Sequence, residues 1–443
     1  MVLKEKKFIQ IRMPRRSTGV SEKPGRNIVA ALDIGSSKIC CFIAEIGAHG
    51  APEVIGIGHQ AARGVKSGTI IDLKAAEAAV AHAIEGAEMM AKSRLQGQPI
   101  KSVFLSAPGV HTIAHPLSVD VRVSGHAVIA RDITAALSHA RSAVDVAREE
   151  LIHVIPANFS LDGSRGIQDP LGMVGYSLHV DITAITGLSN SLRNLKAIAG
   201  QNHLDVDGFC SAAYASGLAV LSEDEMQLGC CVIDMGGGTT SIAVFFGGKL
   251  VYTSAIPVGG QHVTSDIARG LTTSLSDAER IKTLYGSAQS IGMDNGAMID
   301  VPPIGEEEHS QPNYVPRSLL TGIIQPRIEE TFEMVRAKLV DSGVNQIAGR
   351  GVVLTGGASQ LPGLREIGQL ILDKQIRLGR PHRVRGLAEA TGGPAFSTAA
   401  GILLYATEHS HEMPAMRKSS ALAVTPFNNQ LLQKVTHWLK ENW

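Results

Sequence analysis

A strand that stops at an aspartate, a run of small residues and a returning strand occur twice in this chain, and no other feature constrains the fold as much. The later copy is residues 230–246, CCVIDMGGGTTSIAVFF. Its apolar run, residues 231–233, reads as a buried strand that stops at Asp234. Gly236, Gly237, Gly238, Thr239 and Thr240 make the turn, and residues 242–246 return. Glycines let backbone N–H groups approach a ligand that a Cβ would hold off. Successive N–H groups in such a turn form a concavity for an anion. The threonine hydroxyls add donors, and Asp234 suits Mg2+, directly or through its waters. Taken alone, the stretch reads equally well as a glycine-rich hairpin without a ligand.

The earlier copy is residues 27–41, NIVAALDIGSSKICC. A strand over residues 28–32 ends at Asp33, Gly35, Ser36, Ser37 and Lys38 turn the chain, and residues 39–46 return. Each copy runs on into a third apolar stretch, 54–58 or 250–258, and then a helical pattern, 73–92 or 261–271. Such a repeat predicts an internally duplicated protein. Two facing hairpins would clamp a polyphosphate between the halves, where ligand clefts are favoured. A further stretch, GVVLTGGASQLPG at 351–363, ends a strand at Thr355, Gly356 and Gly357, a surface on which a base or ribose lies flat. A helix begins near Pro362, since proline suits a first helical turn.

In order and spacing these stretches resemble the phosphate-1, phosphate-2 and adenosine motifs of the actin, Hsp70 and sugar-kinase ATPase superfamily, over roughly residues 27–408. Within it the chain is most similar to the FtsA family of bacterial cell division. The residues that carry this are ALDIGSSK at 31, VIP at 154, GIQDP at 166, HVDITAITG at 179, VIDMGGGTT at 232, TSDIA at 264, SDAERIKTLYG at 276 and VLTGGASQLPG at 353. The resemblance implies an α/β, actin-like ATPase fold: two duplicated RNase H-like halves around a nucleotide cleft, with an FtsA-type 1C subdomain. It implies ATP and Mg2+, with Asp33, Gly35, Ser36, Ser37 and Lys38 across the cleft from Asp234, Gly236, Gly237, Gly238, Thr239 and Thr240. Asp33 and Asp234 serve the metal, through water. Gly356, Gly357 and Ala358 flank the nucleoside, and Glu279 and Lys282 reach its ribose and base; read from spacing alone, those two are a surface ion pair.

The division implied is a disordered basic arm (1–26), subdomain 1A (27–107, 187–222, 386–408), 1C (108–186), 2A (223–271, 330–385), 2B (272–329), a linker (409–427) and an amphipathic helix (428–443). Subdomain 1C, with a helix expected over 133–149, meets the next protomer of a filament and other division proteins. Subdomain 2B receives the acidic C-terminal peptide of FtsZ, with Arg317 and Arg327 as candidate contacts. Relatives in the superfamily place a Gln or Glu on the helix that matches residues 211–221 here, where it orients a water for attack on the γ-phosphate. This stretch has none, so ATP binding with slow or absent hydrolysis is expected. A PilM-like pilus-assembly protein and an Hsp70-like chaperone are the alternatives; about 35 residues after the core are too few for a chaperone's substrate domain.

Composition narrows the classes. Formal net charge is zero, which offers no general attraction to nucleic acid. Cys40, Cys41, Cys210, Cys230 and Cys231 lie in apolar stretches without C-x-x-C spacing, as buried reduced thiols do. No apolar run reaches the length of a membrane span. At the end of the chain Leu431, Leu432, Val435, Trp438, Leu439 and Trp443 recur at three- and four-residue steps. On a helix they form one apolar stripe. Both tryptophans of the chain are here, with lysines opposite, which suits a helix lying on anionic inner-membrane lipid. The location implied is the cytoplasmic face of the inner membrane at the division site.

Overall fold

Two five-stranded sheets with one strand order carry the duplication. The structure, a computed structural model, describes residues 28–47, 50–144, 148–289, 297–304 and 313–414. The first half runs through β1 (Ile28–Ile34), β2 (Lys38–Ile46), β3 (Pro52–Ala61), the short hairpin β4 (Val65–Lys66) and β5 (Thr69–Ile70), α1 (Leu73–Ala91) and β6 (Ser102–Ala107). An insertion follows, with β7 (Thr112–Arg122), α2 (Ala130–Ala143), β8 (Glu149–Leu161), β9 (Ser164–Ile167) and β10 (Ser177–Leu188). The half closes with α3 (Ser189–Gln201), β11 (Asp205–Ser211) and α4 (Ala212–Val220). After α5 (Glu223–Leu228) come β12 (Cys230–Met235), β13 (Thr240–Phe246), β14 (Lys249–Ile256), α6 (Gly260–Leu271) and α7 (Leu275–Tyr285). The second half ends with β15 (Met298–Val301), β16 (Asn313–Pro316), α8 (Arg317–Asp341), β17 (Gly351–Thr355), α9 (Leu364–Leu372), β18 (Gln375–Leu378) and α10 (Ser397–Leu404).

Strand order is β3-β2-β1-β6-β11 in one sheet and β14-β13-β12-β17-β18 in the other. In both, an antiparallel meander is extended by two strands parallel to its first. The alanine-rich composition of α1 has a packing cause. Asp72 caps the helix, its Oδ1 accepting from Ala75 N at 3.1 Å. Gly56 and Gly58 of β3 lie against it; a Cβ on Gly58 would stand 1.9 Å from the Ala83 carbonyl oxygen. Ala83, Ala87 and Ala91 therefore sit fully buried at four-residue steps. The insertion is a separate sheet, β7-β10-β8-β9. It has its own core of Val119, Ile133, Ala136, Val180 and Ile182.

The halves are joined by exchanged helices. Helix α4 leaves the first sheet and packs on β12 and β13, while α10 leaves the second and packs on β1, β2 and β6. Phe42, Leu218, Phe245 and Leu403 fill the core between them. Where the helices cross, backbone meets backbone: a Cβ on Gly401 would stand 1.7 Å from the Ala215 carbonyl oxygen.

The helix expected over 133–149 ends at Ala143, because Glu149 already pairs with Leu188 at the start of β8. Strand pairing overrides a local helical preference there. β4, β5, β9, β11 and α5 are too short or too polar to show a period. All five cysteines are free and buried, as expected. Among the described residues no helix is long and apolar enough to cross a membrane. The basic arm (1–26), most of the linker (415–427) and the tail stripe Leu431, Leu432, Val435, Trp438, Leu439 and Trp443 lie outside the described residues.

Since α4 and α10 touch through Gly401, Gly401→Ala has to push them apart. Overpacking of this kind costs about 1–3 kcal/mol. A lower urea midpoint is expected, and an unchanged one would show that the crossing has slack.

Candidate functional site

Each half carries the same four-residue turn at the same place. Between β1 and β2 the last pair is Ile34 with Ile39, and Gly35 N–H donates to Lys38 O at 3.0 Å. Between β12 and β13 it is Met235 with Thr240, and Gly236 N–H donates to Thr239 O at 2.9 Å. Asp33 and Asp234 stand one residue inside those pairs, opposite Cys40 and Ser241. The turns face each other across the halves. A Cβ on Gly237 would lie 2.6 Å from Ser37 Cβ, and one on Gly238 2.7 Å from Ser36 Oγ. Gln261 Nε2 also donates to Ser36 O at 3.0 Å.

Helix α6 sets the orientation of the second turn. At its N-terminus the N–H groups of Gly260 and Gln261 donate to Gly236 O (3.0 Å) and Gly237 O (2.7 Å). In a trans peptide the following N–H points opposite to the carbonyl. The amides of Gly237 and Gly238 are therefore directed away from the α6 amides that hold the turn. The approach needs a bare residue at 259, where a Cβ would stand 2.6 Å from Gly236 O. The buried Thr240 hydroxyl donates to Val258 O at 2.8 Å, so it braces this contact.

A carboxylate lies behind each turn. Burial pushes Asp33 up to about 6, against a hydrogen bond from Ser106 and the Lys38 charge. Asp234 is also raised by burial, opposed by hydrogen bonds from Ser216 and Thr398. Ser216 of α4 and Thr398 of α10 both donate to its Oδ2, Thr398 at 3.1 Å, and the two hydroxyls are 3.0 Å apart. Lys38 reaches past its own turn: Nζ donates to Ala395 O at 2.6 Å and stands 3.1 Å from the centre of the Phe396 ring. Burial lowers its pKa.

The end expected to meet the nucleoside is built by the segment after β17 and by α7. Gly356 has φ +85°, and a Cβ there would stand 2.3 Å from Asp234 Oδ1, so only glycine fits. Gly357 is open; a Cβ would meet only Ala395 Cβ, at 3.7 Å. Ala358 Cβ lies 3.1 Å from the Cβ position of Gly260, which in turn is 3.7 Å from Lys282 Nζ. Lys282 Nζ donates to Gly260 O (3.2 Å), Thr264 Oγ1 (2.9 Å) and Glu279 Oε2 (2.6 Å), and Thr264 also donates to Glu279. Glu279 and Lys282 are thus latched to α6 next to the 356–358 segment and are more than a surface pair.

The structure brings the two turns together and sets Lys282 and Ala358 on either side of Gly260, but Thr240, named with the second turn, is fully buried with its hydroxyl spent on Val258 O and drops out of the nucleotide set; Ser106, Ser216, Gly260, Thr264 and Thr398 are added. Thr264 opens the TSDIA stretch; the hydroxyls of Ser216 and Thr398 gain meaning only from the helix crossing, and that of Ser106 from the pairing of β6 with β1. Arg327 is engaged within the protein, by Asp266 (Nε 2.5 Å, Nη2 3.1 Å) and Glu330. Arg317 Nε donates to Tyr285 O at 2.9 Å.

The donor set fits a magnesium nucleotide. The two turns meet closely at Gly237 and Gly238, where a Cβ would strike Ser37 Cβ and Ser36 Oγ, their backbone amides suit phosphate oxygens, and an aspartate stands behind each turn. Among the described residues no group of three or more His, Cys, Asp or Glu converges. Two carboxylates, completed by water and phosphate, are a donor set that Mg2+ would accept.

Residues 231–401 match the family model described as Cell division protein FtsA, and residues 109–186 match the SHS2 domain inserted in FTSA. The chain is 43% identical over 430 residues to the Cell division protein FtsA of Rhizobium meliloti (strain 1021), covering 94% of this chain and 95% of that one. Among solved structures, the PilM-PilN type IV pilus biogenesis complex aligns with a TM-score of 0.61 at 17% identity, over 86% of this chain and 98% of its own. MreB5 of Spiroplasma citri bound to ADP aligns with a TM-score of 0.51 at 14% identity, over 87% and 97%. At those identities the likeness shows the fold alone, which is that of the actin-like ATPases.

A buried acid with a raised pKa destabilises the folded state wherever it is ionised. From its ordinary 3.8 up to about 6, folded Asp33 holds a proton that the unfolded chain releases, so stability falls as pH rises through that window. Asp33→Asn removes this dependence. Relative to the parent it should gain about 2–3 kcal/mol between pH 4 and pH 7 in urea unfolding. Parallel pH profiles for the two proteins would refute the assignment.

Proposed function

This chain belongs to the FtsA family of cell division proteins, and from that premise we propose that it binds ATP, polymerises on the cytoplasmic face of the inner membrane, tethers the FtsZ ring there and recruits later division proteins. The nucleotide part rests on one observation, the facing pair of four-residue turns with a half-buried aspartate behind each. Gly35, Ser36, Ser37 and Lys38 take the phosphates from one side, and Gly236, Gly237, Gly238 and Thr239 from the other. Gly356, Gly357 and Ala358 carry the nucleoside, with Glu279 and Lys282 at its edge. Asp33 and Asp234 hold Mg2+ through water, and the ion offsets phosphate charge. MreB5 of Spiroplasma citri, of the same fold, is described as bound to ADP. Helix α4 offers no Gln or Glu to orient a water, and its Ser216 is engaged by Asp234. ATP then acts chiefly as a ligand that stabilises the closed form by mass action.

Gly237→Val tests this. A β-branched side chain occupies the phosphate position and resists the turn. Calorimetry should detect no ATP binding by a variant that still melts cooperatively; an unchanged affinity would remove the cleft from the account.

The remaining roles follow the family scheme. The insertion at 108–186 meets a neighbouring protomer and other division proteins, and the segment 272–329 receives the FtsZ peptide. The helix at 428–443 lies on anionic lipid through Leu431, Leu432, Val435, Trp438, Leu439 and Trp443. One such helix binds weakly, so firm attachment comes from the many tails of a filament. Trp438→Glu should release the protein from the membrane fraction of lysed cells and leave ATP binding intact. Retention at the membrane would mean that the anchor lies elsewhere.

A further inference from the structure

The insertion is supported at two places, and each belongs to a different part of the molecule. At its entrance the turn Gly109–His111 lies against the second sheet. A Cβ on Gly109 would stand 2.6 Å from Ser241 Oγ of β13 and 3.0 Å from Ala255 Cβ of β14. Strands β7 and β8 pack on β14 beyond it. The other support is a single side chain, His153 of β8, fully buried behind the crossing of α4 and α10.

His153 Nε2 accepts the N–H of Ser211, the residue before α4, at 3.0 Å. A ring nitrogen that accepts leaves the proton on the other, so Nδ1 donates to the hydroxyl of Tyr405, the residue after α10, at 2.9 Å. Burial pushes His153 down to about 4, so the ring is neutral and keeps this tautomer. Both nitrogens are thus engaged, one by each exchanged helix. The rings of Tyr405 and of Tyr214 on α4 stand edge-on to the imidazole, with centres 4.8 and 5.5 Å away. On its other side the Tyr214 hydroxyl donates to the buried Glu412 at 3.0 Å. Ile155 and Ile185 of the insertion share the core of the crossing with Leu218 and Leu403. Ser211 Oγ, at the same joint, is buried and has no hydrogen-bond partner among the described residues. That orphaned hydroxyl is a cost that a second setting of the helices can relieve.

We propose that His153 is the pivot of a lever, which makes the orientation of the insertion follow the crossing of α4 and α10 and, through the crossing, the occupancy of the nucleotide cleft. The inference rests on the ATP-binding reading above. Ser216 and Thr398 of the same two helices hold Asp234. A magnesium nucleotide that engages Asp234 and draws the facing turns together shifts α4 against α10. The ends of those helices carry His153 with them, while β13 and β14 of the second half bear on the insertion's entrance. Two supports that move by different amounts turn the insertion as a body, since its own core is separate from those of the two sheets. Close-packed elements pass on such a shift as a change between discrete arrangements rather than absorbing it.

The test is single-molecule energy transfer in the full chain at picomolar concentration, where no chain meets another. Dyes are placed at Ser138→Cys on α2 and Lys338→Cys on α8, both exposed positions, and the five native thiols are buried. Mg2+ with AMPPNP should shift the transfer efficiency of this labelled parent. Tyr405→Phe removes one link of the pivot and keeps the ring; His153→Phe removes both. Each variant should bind AMPPNP within about threefold of the parent. The shift on binding should shrink in Tyr405→Phe and vanish in His153→Phe. His153→Phe leaves buried groups unpaired, and if it does not fold, Tyr405→Phe carries the test alone. A full shift in every variant that folds, or none in the parent with AMPPNP bound, overturns the inference and leaves the ATP reading standing. Failure of the parent to bind AMPPNP overturns the ATP reading and this inference with it.

Discussion

A carboxylate removed from water has to be met by donors, and Asp234 is met by hydroxyls from two helices that arrive from opposite halves of the molecule. Ser216 comes on α4 and Thr398 on α10. They reach one oxygen together because the helices cross at backbone contact, which Gly401 permits. Helix crossings with larger residues hold axes 8–10 Å apart. The geometry of the site and the geometry of the two halves are therefore one quantity. A relative movement of the halves has to move α4 against α10 and so alter what surrounds Asp234.

The rest of the cleft is braced in the same cross-linked way. The second turn leans on α6 through two amide hydrogen bonds, the first is touched by Gln261 of that helix, and Lys38 of the first turn reaches the residues that start α10. Lys282 ties α7 to α6 beside the 356–358 segment. Both turns are held by elements other than their own, which preorganises their donors. It is also why glycine recurs here: the space of a Cβ is taken at 237 and 238 by Ser37 and Ser36 of the facing turn, at 259 by the backbone of the second turn and at 356 by the Asp234 carboxylate.

The turns were legible because their chemistry is local. A strand, an aspartate and three small residues specify a short loop with exposed amides wherever they occur, and the second copy made a chance match improbable. The alanine run of α1 was legible as a helix for the same reason, although its cause, the glycines of β3, is not local. The helix expected over 133–149 failed at its end, where pairing of β8 with β10 outweighed the local pattern. The β4–β5 hairpin left no trace, since two-residue strands have no period to read.

From the sequence alone came the duplication, the α/β class, the two glycine- and serine-bearing turns with Asp33 and Asp234, and the 356–358 segment, because each depends on residues adjacent in the chain. Tertiary structure alone decided which hydroxyls serve those aspartates, that Thr240 braces α6, that Glu279 and Lys282 are anchored beside the 356–358 segment, and that the Gly68 amide of the β4–β5 hairpin donates to Ser36 Oγ. Ser216 and Thr398 lie 182 residues apart and Gly68 and Ser36 lie 32 apart. Nothing in either local stretch encodes the partner; only the packing of the two halves brings them to one point.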